Sequence, residues 1–407
     1  MAATRPRLFI IWLTVFIDLV GWGIVIPILP FASARFGVGG LGYGSLVGAF
    51  SFMQFLSTAL LGRLSDRVGR RPILLTTMVL NAAGYLLFAF APSFLLLLLA
   101  RLVAGFAGGN ISAAQAYVAD ITTAEDRSKG MGLIGMAFGL GFILGPGIGV
   151  VASHFGGPAG PGLVAMALSI VNFISAYFIL PESLREEHRA TRDLWPFGHM
   201  AQALAHPELR PLMLVWAITP FAFAAYTVAL PLWATATLGW QEKDLGVFFV
   251  IVGVVAAAVQ GGLFRVLRRG IADRTLLIAG MLGMAVAIGV VPFLAHNAPL
   301  YAWTVVLAFA NSLMAPAATG LVSAFAAVNE QGTVLGVAQS LGALGRFLGP
   351  LVMGVAYDRT TPVAAFLAAG GVMLLGWAAS LGVPTARRGP ALLDVQTRSG
   401  EPSTENR

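Results

Sequence analysis

The sequence contains no cysteine, which excludes a disulfide framework and any thiolate metal site. Charge is nearly as scarce. Only 11% of the 407 residues are charged, against 57% hydrophobic, and the mean hydropathy is +0.83. A soluble domain carries about 25% charged residues, so a chain this poor in charge cannot cover a water-facing surface and must be covered by lipid. Histidine is rare too. All five (His154, His188, His199, His206 and His296) fall outside the apolar runs. HExxH, GxSxG and GxxxxGK[ST] are all absent, so no zinc-hydrolase helix, nucleophile elbow or nucleoside-triphosphate cradle is encoded. An enzyme is not expected, no cofactor is implied, and ATP is not the energy source.

What the sequence does contain is apolar runs. Twelve are long enough to span a hydrocarbon core as helices, near 8–30, 43–61, 72–91, 94–118, 130–152, 161–181, 210–235, 244–264, 274–295, 300–327, 332–354 and 361–382. Of the 25 Lys and Arg residues, 20 lie at the termini or in even-to-odd connections. Arg35, Lys243 and Arg359 lie on the other side, and Arg101 and Arg346 lie inside helices. This bias places both termini in the cytoplasm. The pI near 10.2 therefore reports topology and contact with anionic lipid, not a nucleic-acid partner. The first run has Arg5 and Arg7 before it, like a secretion signal. It is too long for one, carries Asp18 mid-way and ends in IVIPILP with no cleavage site, so it reads as a spanning helix.

The longest internal polar stretch, 182–209, divides six segments (1–181) from six (210–382), and a tail from 383 to 407 is expected to be disordered. The halves echo one another: GFILGPGIGV at 141–150 matches RFLGPLVMGV at 346–355 when Pro146 is set on Pro350. Two repeated six-helix halves joined by a cytoplasmic linker predict a substrate site between them near the membrane midplane.

Several motifs carry a family likeness. GRLSDRVGRRP at 62–72 resembles the loop motif of the major facilitator superfamily, with Gly62, Asp66, Arg67, Gly69, Arg70 and Arg71 in matching places. RLVAGFAGGN at 101–110 resembles its helix 4 motif, and GLGFILGPGIG at 139–149 the helix 5 motif associated with antiporters. IDLVGWGIVIPILP at 17–30 resembles helix 1 of the twelve-helix drug/proton antiporters, and AQAYVADIT at 114–122 looks most like the tetracycline-resistance branch. The resemblance implies an all-α membrane protein of twelve transmembrane helices in two pseudo-symmetric halves. It also implies that the arginine-rich loop latches the halves when the cytoplasmic side is closed. Gly62 and Gly69 are expected to permit a tight reversal. Asp66 stands where an acid could cap a helix N-terminus or pair across the halves. Gly141, Gly145 and Gly149, with Pro146, form a smooth bent face, repeated by Gly345, Gly349 and Pro350.

Asp18 is the most informative residue. It lies ~15 Å into the first helix, where a carboxylate is costly and a functional candidate by default. Arg101 and Arg346 fall at similar depth, which predicts one connected polar site with Asp18 as the proton-exchange residue and Arg101 as its tuning partner. Helices 1, 4, 7 and 10 line the cavity in the resembled fold. That favours Asn110, Gln115, Tyr117, Trp216, Phe223, Tyr226 and Asn311 as substrate contacts, with Arg346 as a mark of substrate preference. The reading is a monomeric proton-coupled antiporter of a bacterial cytoplasmic membrane that expels a lipophilic or amphiphilic drug-like compound. Its alternative is a proton-independent facilitator or metabolite exporter of the same fold. Unlike the tetracycline exporters, the chain has Asn81 and Gly84 in helix 3 and no acid within 275–295, so the cargo reads as tetracycline-like or multidrug, and neither tetracycline itself nor the proton stoichiometry follows from the resemblance.

Overall fold

The structure is a computed structural model that describes residues 4–122, 127–184, 209–325 and 331–384. The inter-half linker, the tail and the acidic pair at 125–126 lie largely outside the described residues. The described residues form helices and no strands. The first half comprises α1 (Thr4–Val25), α2 (Gly40–Val68), α3 (Arg70–Ala89), α4 (Phe94–Ile121), α5 (Arg127–Gly156) and α6 (Gly160–Ile179). The second comprises α7 (Arg210–Leu238), α8 (Glu242–Leu267), α9 (Asp273–Val290), α10 (Asn297–Phe325), α11 (Gln331–Arg359) and α12 (Pro362–Leu381). These are the twelve expected segments. Several run beyond the apolar limits, because an apolar run marks only the part of a helix that lipid covers.

Local chemistry sets the boundaries. Ser93 caps α4 by accepting from the Leu96 N–H at 3.3 Å, and Thr361 caps α12 in the same way. Gln241 and Asp244 close a capping box at α8. Gly239, in the left-handed region at φ 66°, ends α7. Gly69 at φ 117° separates α2 from α3, so the expected reversal is there. Gly62, by contrast, is an ordinary helical residue inside α2. A Cβ on it would lie 3.2 Å from Ser112 Oγ, so it serves close approach to α4 and not the turn.

In lipid, helices gain little from burying apolar surface against one another, so close packing of small residues carries the association. Gly141, Gly145 and Gly149 of α5 all face α1, at Leu19, Gly23 and Ile24. Gly345 and Gly349 of α11 face α7, at Ala217 and Phe221. Both glycine faces therefore tie helices within one half.

Different contacts join the halves, and they gather at the end away from the arginine-rich loop. Gly40, Gly44 and Gly48 of α2 meet Gly354, Pro350 and Phe347 of α11, and Phe52 packs on Phe347 at 4.8 Å between ring centroids. Asp358 accepts from the Gly40 and Leu41 N–H groups at 2.7 and 2.8 Å. Ser153 donates to Glu242 between α5 and α8. Tyr43 donates to the Thr227 carbonyl at 2.8 Å. That carbonyl is available because Pro231, four residues on, has no N–H to offer it. The same stretch of α7, Ala225–Ala229, is a π-helical bulge.

Candidate transport site

Asp18 sits half-buried in the middle of α1, and its partners are amides. Asn110 Nδ2 donates to Oδ2 at 2.5 Å, Asn172 Nδ2 to Oδ1 at 3.4 Å, and the Asn81 side chain also hydrogen-bonds the carboxylate. Each arrives from a different helix: α4, α6 and α3. Asn110 reaches Asp18 because α4 is interrupted by a 3-10 turn, Gly108–Asn110. Just before and within that turn, Gly105 and Gly109 lie so close to Phe50 and Ser57 of α2 that neither position has room for a Cβ. Asn172 also donates to the Thr14 carbonyl at 3.2 Å, so one amide fixes both the backbone and the acid of α1.

Arg101 does not bond Asp18. It is buried on α4 with its guanidinium 4.5 Å from the centroid of Phe50, and its Nε has no hydrogen-bond partner among the described residues. Tyr85 lies within electrostatic reach of both Asp18 and Arg101, and Tyr43 within reach of Arg101. Arg346 is apart from both. It belongs to the second half, and a Cβ built on Gly342 would lie 3.6 Å from its Nη1 and 3.5 Å from Trp216 Cε3. Of the three charges expected in one connected site, Asp18 and Arg101 share Tyr85 as a neighbour without bonding each other, and Arg346 belongs to the other half.

The other expected contacts divide. Asn110 belongs to the Asp18 cluster. Tyr117 is fully buried and donates to the Pro181 carbonyl at 3.0 Å, tying α4 to the end of α6, while Gln115 is exposed. Phe223 and Tyr226 pack together at 5.0 Å, and Tyr226 on Phe248 at 4.9 Å. Trp216 and Asn311 are half-buried. Asn172, Tyr43 and Tyr85 were not singled out from sequence. For Asn172 the signal was present, as a lone amide in an otherwise apolar segment.

In the arginine-rich loop, Arg70 bonds Asp66 at 2.5 Å, Asp120 at 3.2 Å and Ser65 Oγ at 2.6 Å. The α3 N-terminus is capped by Glu182, which accepts from the Arg70 and Arg71 N–H groups at 2.9 and 3.1 Å. The capping acid is therefore Glu182, not Asp66, and these contacts all lie within the first half. Arg71 donates to the Tyr177 carbonyl at 2.6 Å and stacks over that ring, and Arg67 lies at the exposed end of α2.

The sequence matches the family model of the Major Facilitator Superfamily over residues 11–272 and 265–400. It is 29% identical to Multidrug resistance protein 2 of Bacillus subtilis, over 91% of this chain and 94% of that protein. It is 28% identical to Major facilitator superfamily domain-containing protein 10 of Mus musculus over 92% of each chain, and 27% identical to the class D tetracycline resistance protein of Salmonella ordonez over 88% and 90%. The crystal structure of the human organic anion transporter MFSD10 (TETRAN) superposes with a TM-score of 0.71 at 26% identity, covering 93% of this chain and 99% of that one. Twelve helices in two halves, a hydrogen-bonded acid at mid-membrane and this match across nearly the whole chain agree: the protein is a transporter of the major facilitator superfamily.

Proposed function

We propose that the chain is a proton-coupled antiporter that exports a lipophilic or amphiphilic drug-like compound from a bacterial cytoplasm, with Asp18 as the proton-exchange group. The observation that carries this reading is the Asp18 cluster. No other acid of the sequence falls in the middle of a spanning helix, and Asp18 is held by amides and not by a fixed cation. An amide suits both protonation states, because its N–H donates to a carboxylate and its carbonyl accepts from a carboxylic acid. An arginine partner would hold the acid charged. Protonation changes the cost of the mid-membrane group and the bonds it makes to α3, α4 and α6, and so biases the halves towards one facing. Cargo that favours the other facing is then exchanged for the proton. With the arginine loops in the cytoplasm, the end joined by Asp358, Glu242 and Tyr43 is the outer one. Relatives named for multidrug and tetracycline resistance support a drug-like cargo.

The test is drug-driven proton release from the purified protein in liposomes, comparing wild type with Asp18→Asn. Proton movement in wild type and none in the variant supports the reading. Cargo flux without proton movement, or a variant equal to wild type, points to a facilitator.

A further inference from the structure

Arg346 is a charged residue at mid-membrane for which the proton-exchange reading has no use. On α11, Leu344, Leu348, Val352 and Val355 are exposed apolar residues and mark the lipid side. At about 100° per residue, Arg346 lies roughly 165° round the helix from the centre of that stripe. It falls between the face that meets α2 (Phe347, Pro350, Gly354) and the face that meets α7 (Gly342, Gly345, Gly349). Its side chain is nevertheless solvent-exposed, so it projects into the space between the halves and not into lipid. Among the described residues no carboxylate pairs with it.

The neighbouring surface of α7 repeats the pattern. Trp216, Thr219, Phe223 and Tyr226 share one side of that helix, within an arc of about 80°. Trp216 Nε1, Thr219 Oγ1 and the Tyr226 hydroxyl are all buried with no hydrogen-bond partner among the described residues. Buried polar atoms of this kind are ordinarily satisfied. Side chains lean towards a helix N-terminus, so the Arg346 guanidinium reaches back to the level of Gly342, which also touches Trp216. The Arg346 guanidinium and the Trp216 indole N–H thus stand together as an array of donors with no acid between them, with Thr219 and Phe223 further along the same side of α7.

We infer that this array is the cargo-binding site of the second half, and that it takes an organic anion: an aromatic or amphiphilic body carrying a carboxylate or sulfonate, with the acid group on Arg346 and the body on Trp216 and Phe223. Guanidinium binds such groups through two parallel charge-assisted bonds, which neither a neutral nor a cationic analogue can form. The inference rests on the exporter reading for its direction of transport but not for its chemistry.

The test is equilibrium binding to the full chain in nanodiscs of zwitterionic lipid, with no pH gradient. The probes are dansylglycine, 2-naphthoate and 2-naphthalenesulfonate, with dansylglycine methyl ester as the uncharged match. Wild type is expected to bind dansylglycine at least tenfold more tightly than its ester. Arg346→Gln brings that ratio to about one while leaving ester affinity in place, Arg346→Lys keeps part of it, and Trp216→Phe weakens the acids a few-fold. Asp18→Asn keeps the preference, so a failure of proton coupling and a failure of anion recognition are read separately. Equal affinity for acid and ester, a preference that survives Arg346→Gln in protein with a wild-type size-exclusion profile, or no saturable binding of any of the three acids overturns the assignment.

Discussion

Arg101 is a buried cation that stacks on a ring where a carboxylate partner was expected. Its guanidinium lies 4.5 Å from the Phe50 centroid in a site that is 4% exposed. A desolvated cation–π contact is worth about 2 kcal/mol. Phe50→Leu keeps the apolar volume approximately and removes the π face, so it is expected to lower the unfolding free energy in mixed micelles by about 1–2 kcal/mol. In an Arg101→Met background the same change should cost less than half as much, because residues in contact are non-additive. Equal losses in both backgrounds would mean that Phe50 acts through packing alone. At this scale the sequence was partly legible. Asp18, Arg101 and Asn110 stand out because a charge or amide in an apolar run is costly and therefore conspicuous. Their partners do not stand out, because Phe50, Tyr43 and Tyr85 are the aromatic residues any spanning helix carries. Depth along a helix also gives no rotation about it. That is why Asp18, Arg101 and Arg346 could be placed at one level and still not bond one another.

Helix α5 makes a sharper case for what pattern alone can say. Its glycines recur every four residues, so one smooth face was evident, and the structure presses that face on α1. A Cβ at Gly145 would meet the Gly23 Cα at 2.6 Å and the Val20 carbonyl oxygen at 2.8 Å, both backbone atoms that cannot swing aside. Gly147, two residues on, has nothing within 4 Å. Gly145→Val is therefore expected to destabilise the protein by about 3 kcal/mol or to abolish its expression as a monodisperse species, since overpacking against backbone leaves no rotamer to relax into. Gly147→Ala should be neutral or stabilising by up to about 1 kcal/mol, through helix propensity. Thermal melts of the two variants in one detergent separate these outcomes, and a large loss at Gly147 would contradict the packing described. The spacing revealed that a face existed but not which helix it met, because α1 and α8 are equally apolar candidates. The arginine-rich loop failed differently. Its turn at Gly69 was legible from the glycine, but the acid that caps α3 is Glu182, more than a hundred residues away in sequence.

The arrangement of the whole molecule depends on a contact that the sequence does not announce. Asp358 looks like an ordinary end-of-helix acid, and Gly40 lies 318 residues before it. Together they join the last turn of α11 to the first turn of α2 through two bonds from N–H groups that no helical carbonyl can reach. Gly40 and Gly354 let the backbones approach closely enough for this, and the Tyr43–Thr227 and Ser153–Glu242 bonds close the same end. Hydrogen bonds to a charged group contribute about 1.5–3 kcal/mol when buried; of this pair one is part-buried and the other exposed, so solvent screens both, and a total near 1.4 kcal/mol, or a tenfold change in the closed-to-open ratio, is a reasonable scale. Asp358→Ala should therefore shift the molecule towards the state open at this end. The absence of cysteine makes the measurement direct, because Ala34→Cys and Thr360→Cys become the only two thiols for spin labels. Wild type should give one short inter-label distance. The Asp358→Ala variant should add a longer one, and Asp358→Asn, which keeps a single acceptor, should fall between them. Cargo offered from the arginine-bearing face should then bind more weakly, in proportion to the lost fraction of molecules open to it. An unchanged distance distribution in Asp358→Ala would assign the closure to the apolar seam of Gly44, Gly48, Phe52 and Phe347, and Phe347→Ala would become the variant that opens it.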